Sequence, residues 1–178
     1  MGAQVTGLVF DLPHAPWWSD VLRLRAAWAP GHLKFPVEIT VVGSSGLGWF
    51  AGHQASRELE EAVRGVAARC KPFEFRFAGV ERFANSNVYY LAVADERPFH
   101  DFQRELARCG LAFEPTPFSY KPHCTIAILD GNAGDTAHAQ LQACPVPDHA
   151  ILISSVSLYR VDHERGEALQ GTRIALGA

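Results

Sequence analysis

The sequence predicts an α/β (α+β) fold of two pseudo-symmetric lobes. Each lobe is expected to be a mainly antiparallel sheet with outer helices, and a central cleft should lie between the two. Three observations carry this. Strand-like and helix-like stretches alternate along the whole chain. The order helix, strand, helix, strand, strand occurs twice, as in an internal duplication. No linker or low-complexity run separates the copies, so residues 1–178 should pack as one bilobal domain. Lobe one is expected over about 17–94 and lobe two over about 98–177, with an N-terminal strand at 5–10 completing a sheet.

The elements follow in order. Val5 to Phe10 is β-prone and is broken by Pro13 and Pro16. Ser19 or Asp20 can cap a helix through Trp28, whose apolar stripe is Val21, Leu22, Leu24 and Trp28. Phe35 to Val42 reads as a strand entered through Pro36, and Gly43 to Gly48 as a mobile turn-rich loop. Gln54 to Arg69 alternates apolar and charged faces at helical spacing. Phe73 to Phe77 alternates as a half-buried strand, Asn85-Ser86-Asn87 marks a turn, and Val88 to Ala94 returns. Pro98 opens a helix through Cys109, stopped by Gly110. A loop from Phe113 to Pro122 leads into a strand at His123. Gly131 to Gly134 is a turn and Asp135 to Ala143 a short helix. Ala150 to Val161 and Thr172 to Leu176 form a second hairpin across Arg165-Gly166.

The totals exclude several classes of function. The 178 residues are 48% hydrophobic and 20% charged, which suffices for a full core. A net charge of -3 argues against an extended nucleic-acid surface but leaves room for a local basic pocket. The longest apolar run, Ala150 to Val156, is too short to cross a bilayer. The N-terminus lacks a secretory pattern. Cys70, Cys109, Cys124 and Cys144 show no zinc spacing, so reduced thiols in a cytoplasm are expected, with no metal and no cofactor. P-loop, G-x-S-x-G and H-E-x-x-H motifs are absent. Oligomeric state has no signature here.

Chemistry concentrates at Tyr120-Lys121-Pro122-His123-Cys124-Thr125. His123 and Thr125 are two apart, so a strand projects both from one face. An imidazole beside a hydroxyl can protonate and bind a phosphate oxygen. Overlaying the two copies sets Glu38-Ile39-Thr40 on His123-Cys124-Thr125. If the two strands face each other, Glu38, Thr40, His123 and Thr125 surround one site. The alternatives are plain: Glu38 and Thr40 on the solvent face of an amphipathic strand, and His123 as a hydrogen-bonded strand-end histidine. Phe118 and Tyr120 can stack on a base or pack as a lid. Lys121 can meet a phosphate or stay solvated. Trp17, Trp18, Trp28 and Trp49 read as packing residues.

Lys121 to Ala127 resembles the second signature of the 2H phosphoesterases, the superfamily of bacterial 2'-5' RNA ligase-like proteins and cyclic phosphodiesterases. The element order resembles theirs over nearly the whole chain. The resemblance implies acid/base catalysis on 2',3'-cyclic or 2'-5' phosphodiesters of nucleotides or small RNA ends, without a metal. It assigns His123 as acid or base and Thr40 and Thr125 as phosphate clamps, with a nucleotide or RNA end as the small ligand. Glu38 stands where the family's first catalytic histidine is expected. An ionised carboxylate about 4 Å from a phosphate charge is repelled by ~4 kcal/mol at an effective dielectric near 20. Three compensations are open: burial that protonates Glu38, a cation from Lys34, Arg76, Arg82 or Lys121, or an imidazole from His32 or His53. A non-catalytic nucleotide- or phosphate-binding member of the same fold is the alternative, and a pure interaction domain a third reading.

Overall fold

The computed structural model describes residues 4–84, 86–129, 135–162 and 164–178. The expected turn at Gly131 to Gly134, and Asn85 of the expected Asn85-Ser86-Asn87 turn, lie outside them. Nine strands and four α-helices follow one another among the described residues: β1 (Val5–Asp11), α1 (Trp18–Trp28), β2 (Glu38–Val42), α2 (Ser56–Arg69), β3 (Phe73–Phe75), β4 (Phe77–Arg82), β5 (Val88–Val93), α3 (Arg97–Ala107), β6 (His123–Ile128), α4 (Asp135–Gln142), β7 (Ile151–Ile153), β8 (Ser155–Asp162) and β9 (Glu167–Ala175). A 3₁₀ turn spans Pro30–His32. Each α-helix and each strand expected from the sequence is present, with shifted ends.

The shifts have local causes. Helix α1 starts at Trp18 without a side-chain cap because the N-cap residue, Trp17, carries no oxygen acceptor, and the Ser19 hydroxyl, inside the first turn, donates to Pro16 O. Strand β2 begins at Glu38 rather than Phe35, since the carbonyls of Phe35 and Pro36 are taken by Arg25. Arg76 divides the expected strand at 73–77: β3 pairs with β7, whereas β4 turns to β5. The Gly43–Gly48 loop, expected to be mobile, is pinned by Gly46 N–H donating to Phe118 O at 2.8 Å. A Cβ on Gly48, at φ +83°, would lie 1.7 Å from Glu114 O, so only glycine fits that approach.

All the pairings are antiparallel, in sheets ordered β2-β1-β8-β9, β4-β5-β6 and β3-β7. This corrects the expected split near residues 94–98. Each hairpin is completed by strands from the other half of the chain: β4-β5 by β6, and β8-β9 by β1 and β2. Strand β1 sits inside its sheet, between β2 and β8. The helices are exchanged as well, α1 packing on β6, α3 on β2 and α2 on β9. Exchange joins the halves through ladder hydrogen bonds rather than through one face. Phe10, Phe73, Phe75 and Phe99 meet in edge-to-face contacts at 5.1–5.6 Å, tying both halves into one core.

Candidate active site

Alternation on two strands builds the site. On β2, Ile39 and Val41 are buried completely, leaving Glu38 and Thr40 on the opposite face, half-buried. On β6, Cys124 and Ile126 are likewise buried completely, and His123 and Thr125 face the other way. The two strands belong to different sheets and approach one another. A cavity of about 410 Å³ lies between them, and Glu38, Thr40, His123 and Thr125 all line it.

His123 is held in one tautomer. Its Nδ1 lies 2.6 Å from Lys121 O. A carbonyl only accepts, so Nδ1 carries the proton and a neutral ring leaves Nε2 as an acceptor. Phe83 and Tyr90 contact the ring edge-on at 4.9 and 5.1 Å. Burial lowers the His123 pKa from its ordinary 6.5; the Lys121 carbonyl opposes this and the Lys121 charge adds to it. The imidazole is therefore neutral at pH 7.

Glu38 is displaced in the opposite direction. Burial pushes its pKa from 4.5 to about 7, against the Arg25 charge and a hydrogen bond from Thr40. Thr40 Oγ1 donates to Glu38 Oε1 at 3.1 Å, while Oε2 is buried with no protein partner. Of the three expected compensations, burial acts on Glu38 in the direction of protonation, and His32, one of the two candidate imidazoles, also lines the cavity.

The four expected cations lie elsewhere. Lys34 pairs with Glu167 at 2.8 Å, Arg76 bonds the Asp148 carbonyl and Arg82 lies over the Tyr89 ring. Lys121, expected to meet a phosphate or water, is bound by Glu96 at 2.7 Å and Glu81 at 3.6 Å. The positive charge near Glu38 is Arg25, which is 1% exposed. Its Nε and Nη2 donate to Thr125 O at 3.0 and 2.8 Å, and Nη1 donates to Phe35 O and Pro36 O at 3.0 and 2.9 Å. One buried guanidinium thus ties the second motif to the approach to the first. Sequence reasoning missed it, although Arg25 takes the i+4 place after Val21 in the stripe Val21, Leu24, Trp28.

The proposed binding residues are corrected similarly. Phe118 is 66% exposed and, like Tyr120 and Lys121, is not among the residues lining the cavity. Tyr120 packs against the core and donates its hydroxyl to Thr40 O at 3.1 Å, bracing β2. Other aromatic groups line the cavity instead: His32, Phe35, Trp49 and Tyr159. His53, the other candidate imidazole, is exposed and does not line it. Trp49, expected to be a packing residue, is seated against Gly7, where a Cβ would approach its ring to 2.8 Å. A glycine in the middle of a central strand was the available signal. Among the described residues no cluster of three His, Cys, Asp or Glu could hold a metal ion, and no helix is long and apolar enough to cross a membrane.

The fold recurs in solved structures. Escherichia coli LigT complexed with 3'-AMP superposes with a TM-score of 0.61 at 20% identity, covering 98% of this chain and 99% of that one. LigT complexed with ATP gives 0.57 at 19% identity over 98% and 99%. TT0787 of Thermus thermophilus gives 0.62 at 14% identity, over 98% of each chain. No curated protein matches the chain. The family model described as the 2'-5' RNA ligase superfamily matches residues 13–165. With that match over most of its length, the chain belongs to the 2'-5' RNA ligase superfamily, the 2H phosphoesterases.

Proposed function

We propose that this protein is a phosphodiesterase of 2',3'-cyclic or 2'-5' phosphodiesters on nucleotides or small RNA ends, in which Glu38 replaces one imidazole of a two-histidine mechanism. The observation that carries this is Glu38 itself: a carboxyl pushed up to about 7, with one unpartnered buried oxygen, lining the same cavity as a neutral histidine. A group titrating near the working pH suits proton transfer in either direction. A protonated Glu38 also removes the repulsion that an ionised one would impose on a phosphate.

The roles divide by protonation. For a cyclic phosphate, Nε2 of His123 takes a proton from water and the water oxygen bonds to phosphorus. The ring P–O bond breaks, and the Glu38 carboxyl gives its proton to the departing ribose oxygen. Thr125, and Thr40 once its hydroxyl turns away from Glu38 Oε1, donate hydroxyl hydrogens to the non-bridging oxygens as charge builds there. Phe35, Trp49 and Tyr159 supply the apolar walls that a nucleobase needs. The solved LigT complexes with 3'-AMP and ATP support a nucleotide as the ligand class. Four free cysteines fit a reducing compartment, and we infer a cytoplasmic protein.

The test is turnover of 2',3'-cyclic AMP and of 2'-5'-linked dinucleotides. His123→Ala should lower the rate by ~10²- to 10⁴-fold. Activity indifferent to that substitution would refute the mechanism. Saturable nucleotide binding without turnover, with activity appearing only in Glu38→His, would identify a binding member instead.

A further inference from the structure

The cavity-facing side of the four-stranded sheet carries a second polar cluster that the proposed chemistry does not use. Tyr159 and Val161 line the cavity from β8, and Val9 and Gly7 from β1. Alternation puts Ser155, Ser157 and Asp11 on that same side. Asp11 Oδ2 accepts hydrogen bonds from Ser155 Oγ at 2.8 Å and Ser157 Oγ at 2.9 Å. Gln170 Nε2 donates to Ser157 Oγ at 3.1 Å. Arg173, opposite Ser157 in the β8-β9 register, donates from Nε to Ser155 Oγ at 2.9 Å and pairs with Asp11 Oδ2 at 3.2 Å.

Arg173 therefore reaches from β9 back across β8 toward β1. Its Nε is anchored by Ser155, which is 5% exposed, and by Asp11, whose carboxylate Ser157 holds in turn. The Arg173 side chain is 62% exposed, and among the described residues its terminal nitrogens have no hydrogen-bond partner. A guanidinium fixed at Nε, with its outer N–H groups open, is preorganised for two-point contact with a phosphate. Asp11 is the register partner of Glu38 on β2, and such partners hold their Cβ atoms about 5 Å apart. The anchored guanidinium thus lies on the order of one nucleotide from the Glu38 carboxyl.

We propose that Arg173, held by Asp11 and Ser155, binds a second phosphate one nucleotide away from the reacting one. The preferred ligand is then a nucleotide with a further phosphate, or the end of an oligonucleotide, rather than a mononucleoside phosphate. This rests on the cavity being a nucleotide site.

Calorimetric titration of the full chain with 3'-AMP, adenosine 3',5'-bisphosphate and the dinucleotide ApA bearing a 3'-phosphate tests it without requiring turnover. At least one ligand with the second phosphate should bind about tenfold more tightly than 3'-AMP, the lower range for hydrogen bonds to a charged group. Arg173→Gln should abolish that advantage and leave 3'-AMP affinity unchanged, and Arg173→Lys should keep part of it. A stronger dinucleotide points to an internal phosphodiester, and a stronger bisphosphate to a terminal monoester. Equal binding of all three ligands by the unsubstituted protein, or equal weakening of all three by Arg173→Gln, overturns the proposal. Binding of none overturns both this proposal and the nucleotide reading. Selective loss in Arg173→Gln, alongside turnover that ignores His123, leaves the second-phosphate site standing and refutes only the catalytic mechanism.

Discussion

Replacing Glu38 by Gln should change the stability of this protein by an amount that depends on pH in a defined way. In the folded chain the Glu38 carboxyl titrates at about 7, against an ordinary 4.5. Below pH 4.5 both folded and unfolded chains hold the proton, so ionisation costs the fold nothing. Between 4.5 and 7 the unfolded chain releases its proton while the folded chain keeps it, and stability falls as pH rises. Above 7 the full cost is present, about 3 kcal/mol. Glutamine keeps the shape and an oxygen to accept from Thr40, yet it cannot ionise. Urea unfolding at pH 4.5, 7 and 9 reads the difference between the two proteins. Glu38→Gln should gain up to about 3 kcal/mol on the unsubstituted protein between the lowest and highest pH. Any fixed cost of the buried amide is the same at each pH and drops out of that change. The titration of His123 is common to both proteins and largely cancels. A stability difference that stays flat with pH would refute the claim that Glu38 is protonated by burial, and with it the assignment of Glu38 as proton donor.

The same two groups set the expected pH profile of activity. The rate should fall above about pH 7 as Glu38 ionises, and on the acid side only below 6.5, because burial lowers the His123 pKa; a profile still rising through pH 9 contradicts the roles given. Arg25→Met removes the donors serving three backbone carbonyls. Each orphaned buried acceptor costs about 1–3 kcal/mol, so chemical unfolding should show a loss of at least ~3 kcal/mol, and a loss under 1 would show that Arg25 is dispensable as a clamp.

Much of the architecture and the centre of the site were legible in the sequence because both rest on local rules. Side chains two apart share one face of a strand whatever the strand pairs with, so spacing alone coupled Glu38 with Thr40 and His123 with Thr125. Helices and strands declared themselves through periodicity and through stops such as Ala29-Pro30-Gly31 and Gly110. Partner choice is not local. A hairpin buries its face equally well against the third strand of its own half or of the other half, and only the assembled core selected the exchange of β6 and β2. Electrostatics is less local still. That the Glu38 carboxyl is pushed up to about 7 follows from everything that excludes water around it, and that Lys121 is spent on Glu96 follows from the docking of α3. Arg25 looked like one more polar position on a short helix; tertiary packing made it the buried charge joining both motifs, because a guanidinium is tolerated inside a protein only where the backbone offers it acceptors.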